Sequence, residues 1–288
     1  MRLEQLRGRA AVVTGGGGGL GRSIALTFAR AGMDVVLADV ELDAAELVRD
    51  EVRALGREAI AVRTDVSRLT EVEALADAAY DAFGNIAVLV NNAGVTWRPY
   101  RANWDASVDD FEWIMAVNFW GAFHGHRAFV PRMGRSSLPS HIVNTSSIAA
   151  LKPTPGHAAY TASKAAIDGF SLATRAEYET AGLDIGVTVL YPGPVRTGFA
   201  TSERLRPAED RADARGVVPW ATYTDGAPMR AGAEAPGAID PDTVGPLVLD
   251  AIVQNHPYVL THPLPDHVAV RTRQLTDLAV DRPAQVVE

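Results

Sequence analysis

Short, largely apolar runs punctuate the first two thirds of the chain, at 10–13, 35–38, 60–62, 88–90, 142–143 and 185–190. Each is too short for a helix and suits a strand buried on both faces of a sheet. Between them, 20–31, 44–55, 71–83, 111–133 and 158–181 are rich in helix formers, with apolar residues three and four positions apart. That spacing gives a helix one apolar face. Strand and helix alternate, which predicts right-handed βαβ units and a single doubly wound parallel sheet with helices on both faces, an α/β fold. Ligands of such sheets sit at the carboxyl ends of the strands, so the turns after each strand are where chemistry is expected.

The pattern breaks after Thr197. The stretch 198–246 is rich in Pro, Gly, Arg and Asp and carries Phe199, Trp220, Tyr223 and Met229. A segment of that length without periodicity reads as a substrate-binding lid after the sixth strand, inserted in a single domain that spans 1–288. A short strand at 258–261 and a last helix near 268–278 are expected to close the fold. No internal repeat is visible. Trp97, Trp104, Trp113 and Trp120 read as pocket wall or helix packing, with packing favoured for Trp113 and Trp120.

Composition narrows the function. A chain of 288 residues, 47% hydrophobic and 22% charged, suits one large domain. The absence of cysteine removes disulfides, thiolate nucleophiles and thiolate metal sites, leaving oxygen and nitrogen groups for catalysis. A formal charge of -8 argues against a nucleic-acid surface, which needs a basic field. With no long apolar run and no charged-then-apolar leader, the expectation is a cytoplasmic protein without membrane contact, acting on small molecules. The histidines, His124, His126 and His157 among them, show no metal spacing, and no metal is expected.

The first strand runs into Thr14 and then five glycines, Gly15 to Gly19, followed by Leu20, Gly21 and a helix. Glycine lets the backbone turn tightly and approach a pyrophosphate, and a helix N-terminus offers N–H groups and partial positive charge. The repeated letters fit T-G-x-x-x-G-x-G, T-G-x-x-G-x-x-G and G-x-G-x-x-G alike. Asp39 ends the second strand eighteen residues after Gly21, where a dinucleotide fold places the acid that binds the adenosine ribose. A carboxylate there repels a 2′-phosphate, and Val40 and Glu41 follow without a basic residue, so NAD is favoured over NADP. A helix N-cap is the plainer reading of Asp39, and the two roles are compatible.

Four more signals follow in order: Asn91-Asn92-Ala93-Gly94, Asn118 after Val117, Ser146-Ser147, and Tyr160-Thr161-Ala162-Ser163-Lys164. Together with Thr14 to Gly21 they closely resemble the short-chain dehydrogenase/reductase family, whose sheet is the Rossmann fold. The resemblance implies a catalytic set of Asn118, Ser147, Tyr160 and Lys164: Tyr160 as acid/base, Lys164 as its partner, Ser147 orienting the carbonyl, and Asn118 anchoring a water near the lysine. It implies cofactor contacts at Gly15, Gly19, Leu20, Gly21, Asp39, Asp65, Val66, Asn92, Ala93 and Gly94. Further contacts would come from Tyr160, Lys164, Pro192, Gly193, Val195 and Thr197. The ending at 258–263 differs from the family's common V-D-G-G tail and resembles a bacterial subgroup of NAD-dependent aryl and secondary alcohol dehydrogenases. A homodimer is therefore expected ahead of the usual homotetramer.

The residues make chemical sense apart from the family. Tyr160 and Lys164 lie four apart on one helix and share a face. A free tyrosine titrates near pH 10, too high for a base at neutral pH. An ammonium about 4 Å away favours the phenolate by roughly 4 kcal/mol at an effective dielectric near 20, before the lysine's own desolvation is subtracted. Taken singly, Tyr160 and Lys164 also read as a surface pair, Ser147 as a turn cap and Asn118 as a ligand of backbone. The resulting expectation is hydride transfer between NAD and a hydrophobic or aromatic secondary alcohol or ketone. An epimerase or dehydratase of nucleotide sugars and a non-catalytic NAD-binding regulator are the alternatives.

Overall fold

The structure is a computed structural model that describes residues 1–97, 100–104, 106–206 and 235–263. In chain order its regular elements are β1 (Ala10–Thr14), α1 (Gly19–Arg30), β2 (Asp34–Asp39), α2 (Leu42–Ala54), β3 (Ala59–Arg63), α3 (Leu69–Phe83), β4 (Ile86–Asn91) and α4 (Val108–Met115). There follow α5 (Gly121–Met133), β5 (Ser140–Thr145), α6 (Ile148–Leu151), α7 (Ala158–Thr180), β6 (Ile185–Tyr191), α8 (Val244–Gln254) and β7 (Tyr258–Leu260). The strands form one sheet in the order β3-β2-β1-β4-β5-β6-β7, and every pairing is parallel. This is the Rossmann arrangement expected from the alternation of strand and helix.

The central strands β1 and β4 are apolar up to their last residue because each faces helices on both sides. Along β1, Ala11 and Val13 join one core with Ile24, Phe28, Val248 and Ile252 of α1 and α8. Ala10 and Val12 point the other way, into a second core with Leu75, Phe129, Met133 and Tyr178 of α3, α5 and α7. The two-residue period of a strand thus feeds both layers, and each large side chain so buried contributes roughly 2 kcal/mol. Strand order reverses between β1 and β4, which opens a crevice at their carboxyl ends.

Three expectations need correction. The helix foreseen over 111–133 starts earlier, at Val108, because Ser107 and Asp110 form a capping box in which Ser107 Oγ accepts from the Asp110 N–H at 3.0 Å. It is also not uniform: Ala116–Trp120 is a π-helical turn between α4 and α5. Second, the aperiodic stretch is shorter than 198–246. It opens with a 3₁₀ helix, Gly198–Leu205, and ends inside α8, where Pro246 occupies the first turn, a position whose N–H needs no intrahelical partner. Residues 207–234, with Trp220, Tyr223 and Met229, lie outside the described residues, as does the helix foreseen at 268–278. Third, Trp120 does not pack inward: it is 47% exposed. Trp97 is buried and Trp113 packs beside it. No described helix is long and apolar enough to cross a membrane.

Two histidines are sealed between sheet and helices. His126 bonds Tyr178 Oη at 2.7 Å and Asn144 at 3.2 Å, and His141 bonds Thr188 Oγ1 at 2.8 Å. Burial lowers His126 to about 4 and His141 to about 3. Both stay neutral in the folded chain yet protonate near 6.5 once unfolded, so stability is full above about pH 6.5 and drains as pH falls. By pH 5 the two withdraw roughly 3 to 4 kcal/mol. Asp168, which burial raises to about 6, works in the opposite sense and offsets about a third of that. Stability is therefore expected to fall by roughly 2 kcal/mol between pH 6.5 and pH 5; a thermal midpoint unchanged over that interval would show that these imidazoles are not held neutral.

Candidate active site

The turn after β1 is built by contacts that only glycine permits. Gly15 and Gly19 have φ of +63° and +51°, conformations that side chains disfavour. A Cβ on Gly21 would lie 2.0 Å from the carbonyl oxygen of Gly15, so α1 can start close under the turn only with glycine there. Thr14 ties the turn to the end of β4: its Oγ1 accepts from the N–H groups of Asn92 and Ala93 at 2.9 and 3.1 Å. Asn92 Nδ2 donates back to the carbonyls of Thr14 and Gly15 at 3.0 and 3.2 Å.

Asp39 closes the outer side of this turn. Its Oδ2 accepts from Gly17 N–H at 2.9 Å and its Oδ1 from Glu41 N–H at 3.0 Å. Burial raises its pKa, against those same backbone bonds. The N-cap of α2 is Glu41 and not Asp39, so the capping alternative falls away. The fold also brings cations here that a linear reading missed. Arg63, Arg68 and Arg204 line the same cleft, each paired to a carboxylate: Arg63 to Glu71 at 3.3 Å, Arg68 to Asp65 at 3.5 Å and Arg204 to Glu41 at 2.6 Å.

The inner end of the cleft is organised around Lys164. Its side chain is buried, and Nζ donates to the carbonyl of Thr145 at 2.8 Å while lying 5.6 Å from the centre of the Tyr160 ring. Burial pulls the ammonium down to about 7, opposed by Asp168 one turn further along α7. The charge that could favour a phenolate is therefore itself expensive to keep. Asn118 sits in the π-helical turn with its amide fully engaged. Its Oδ1 accepts from Val95 N–H at 2.8 Å, and its Nδ2 donates to Val95 O at 3.1 Å and Ser163 Oγ at 2.9 Å. Gly94 lies between the two: a Cβ there would come within 3.3 Å of both Asn118 Oδ1 and Lys164 Nζ. Ser147 follows β5 and caps α6, its Oγ accepting from Ala149 N–H at 3.1 Å.

One cleft of 1410 Å³ gathers these groups. Among the sequence-derived candidates, Gly15, Gly19, Leu20, Asp39, Asp65, Val66, Asn92, Ala93, Gly94, Ser147, Tyr160, Lys164, Pro192, Gly193, Val195 and Thr197 all line it. Gly21 and Asn118 do not; Gly21 lies beneath the turn and Asn118 behind the lysine. The wall beyond Tyr160 is apolar and aromatic, with Val95, Tyr100, Trp113, His157, Phe199 and Leu205. It is held by a buried ion cluster. Asp110 at the start of α4 pairs with Arg206 and, at 2.6 Å, with Arg101, which also reaches Glu203 at 2.5 Å. Burial works to raise the Asp110 carboxyl, but the Arg206 and Arg101 guanidiniums outweigh it and hold it below the usual range. Among the described residues no group of three or more His, Cys, Asp and Glu is placed to hold a metal ion.

The cleft suits a dinucleotide. Gly18 has open space above it, the first turn of α1 faces the same opening, and an acid stands at the end of β2, the combination that takes a pyrophosphate and a ribose. Comparison with known proteins agrees. The chain is 40% identical over 192 residues to the 1-deoxy-11-beta-hydroxypentalenate dehydrogenase of Streptomyces exfoliatus, covering 67% of this chain and 69% of that protein. The crystal structure of a short-chain dehydrogenase/reductase from Burkholderia phymatum in complex with NAD superposes with a TM-score of 0.85 at 37% identity, covering 99% of both chains. A metagenomic short-chain oxidoreductase in complex with NADP superposes with a TM-score of 0.69 at 28% identity, covering 90% of this chain and 99% of that one. Residues 9–208 match the short chain dehydrogenase family across β1 to β6 and the whole constellation around Tyr160 and Lys164, and the chain belongs to that family.

Proposed function

We propose that this oxidoreductase uses NAD to interconvert a hydrophobic or aromatic secondary alcohol and its ketone. The observation that carries the reading is the convergence of Tyr160, Lys164 and Ser147 at the inner end of one cleft whose outer end holds the glycine turn and Asp39. The chemistry that a bound nicotinamide supplies is acceptance of a hydride in one direction and its return in the other. Everything else falls to the chain. Gly15, Gly19, Leu20 and the first turn of α1 hold the pyrophosphate, Asp39 the adenosine ribose, Asp65 and Val66 the adenine. Asn92, Ala93 and Gly94 wall the adenosine ribose, and Pro192, Gly193, Val195 and Thr197 form the wall on the nicotinamide side.

In oxidation Tyr160 takes the hydroxyl proton as the alcohol becomes a carbonyl, and Ser147 donates a hydrogen bond to the oxygen as it changes. Lys164 holds positive charge beside the phenol and so favours its ionised form. Burial works against that charge and Asp168 supports it. Asn118 fixes the loop after β4 against α7, and the lack of a side chain at Gly94 leaves the lysine room. The apolar wall from Tyr100 to Leu205 accepts a bulky carbon skeleton and excludes water. We assign the described ends of 198–246 to that wall, within a single domain. The exposed aromatic band of Trp120, at the end of the π-helical turn, and Phe123 on α5, with Leu172 on α7, is the surface we assign to self-association.

NADH formation across a panel of aryl, terpenoid and steroid secondary alcohols tests the function, and no turnover with any of them would sink it. Tyr160→Phe is expected to lower kcat at least a thousandfold while NADH still binds within about twofold; activity within tenfold of wild type would remove Tyr160 from the chemistry. The cofactor reading has its own measurement. Wild type is expected to show kcat/KM for NAD at least tenfold above that for NADP, and Asp39→Ser with Val40→Arg to reverse the order by removing a repelling carboxylate and adding a phosphate partner. Equal use of both cofactors by wild type would show that Arg63, Arg68 and Arg204 outweigh Asp39.

A further inference from the structure

His157 immediately precedes α7, yet its side chain does not cap that helix. The imidazole lies instead flat on the ring of Tyr160, with centroids 4.4 Å apart and planes inclined by 13°. One ring edge is tethered: Nε2 shares a hydrogen bond of 2.5 Å with Thr96 Oγ1. Tyr100 meets the imidazole edgewise at 4.9 Å, and Phe199 contacts the Tyr160 ring at 5.5 Å. His157 and Thr96 are both buried.

The tether is itself fixed. Ser202 Oγ accepts from Thr96 N–H at 2.8 Å and donates to Thr96 O at 3.1 Å. Thr96 is thus locked between the loop after β4 and the Gly198–Leu205 helix, and it transmits that rigidity to the imidazole. A tyrosine has two side-chain torsions, and its place on a helix does not fix the plane of its ring. His157, at the N-cap three positions earlier, lies against that ring and can fix its plane by stacking. Displacement of a reacting group by about 1 Å can cost a hundredfold in rate.

We propose that His157 is a positioning residue for Tyr160: the stacked imidazole, anchored by Thr96, sets the plane of the phenol and hence the place of its oxygen. The role in turnover rests on the reading of Tyr160 as the proton-exchanging group. A ring that only filled space would need no tethered edge; here one edge is held by Thr96 and one face is covered by the phenol, and the rest of the ring lines the cleft.

The test combines kinetics with a probe that needs no turnover. In protein labelled with ¹³C at tyrosine Cζ and free of cofactor, the Tyr160 resonance is identified by its loss in Tyr160→Phe. His157→Ala is expected to move that resonance and to lower kcat at least tenfold, with the NADH Kd within about twofold of wild type. His157→Phe, which keeps a flat ring, is expected to recover kcat to within about threefold of wild type. His157→Gln, which keeps a polar reach toward Thr96 but no ring, is not. A rise in KM at unchanged kcat would make His157 a substrate contact and overturn the proposal, as would rescue by Gln and not by Phe. Absence of alcohol turnover by the wild-type protein overturns the dehydrogenase reading, whereas an unmoved resonance in His157→Ala overturns the positioning of Tyr160 whatever the wild type turns over.

Discussion

Burying an ammonium is costly, and the inner half of the cleft is arranged around the one on Lys164. A lysine taken out of water keeps its charge only where acceptors and opposite charge replace the lost hydration. Here the replacements are a strand-end carbonyl, Thr145 O at 2.8 Å, and the carboxyl of Asp168, whose own pKa burial has raised to about 6. Space for the amine depends on Gly94, where any side chain would crowd Nζ. The loop that carries Gly94 is held by both faces of the Asn118 amide, and Asn118 is presented by a π-helical turn. Such turns insert a residue into a helix and often mark functional positions. The need to house this buried charge thus accounts for a glycine, an asparagine and a distortion of the helix.

The outer half obeys a different constraint, close approach of backbone to backbone. With Gly21 under Gly15 and Thr14 bonded to Asn92 and Ala93, the ends of β1 and β4 are stitched together where the strand order reverses. Asp39 bonds Gly17 and Glu41 at the outer edge of the cleft. The selectivity we propose for it would act among arginines drawn from β3, the loop after it and the Gly198–Leu205 helix, each balanced by a carboxylate. NAD-bound and NADP-bound relatives both share this fold, so discrimination lies in such local balances and not in the architecture.

Much of this was legible in the chain because it is local. Strands buried on both faces leave apolar runs, glycine is required wherever a Cβ would strike backbone, and Tyr160 and Lys164 sit one helical turn apart. What escaped is what long-range contact decides. The helix Val244–Gln254 was hidden because Pro246 reads as a breaker, although in a first turn it is harmless. Ser107 with Asp110 did announce the start of α4, a capping signal that apolar periodicity alone passes over. The π-helical turn left no mark in the spacing of apolar residues. Arg204 is 163 residues from Glu41 in sequence, and no motif links them. His157 could be placed in the pocket only once Thr96 and Ser202 were seen to meet.

The ion cluster of Arg101, Asp110, Arg206 and Glu203 ties the start of α4 to the Gly198–Leu205 helix and the residue after it. Three of its members are almost wholly buried, and losing one partner of a buried pair costs on the order of 3 to 5 kcal/mol, because the other charge is left stranded. Arg206 fastens the end of the Gly198–Leu205 helix to the start of α4, and its guanidinium lies over the ring of Trp113 in the apolar wall. A charge lost from the cluster would loosen that wall first, so the shape the cleft offers a carbon skeleton depends on side chains that do not themselves line it.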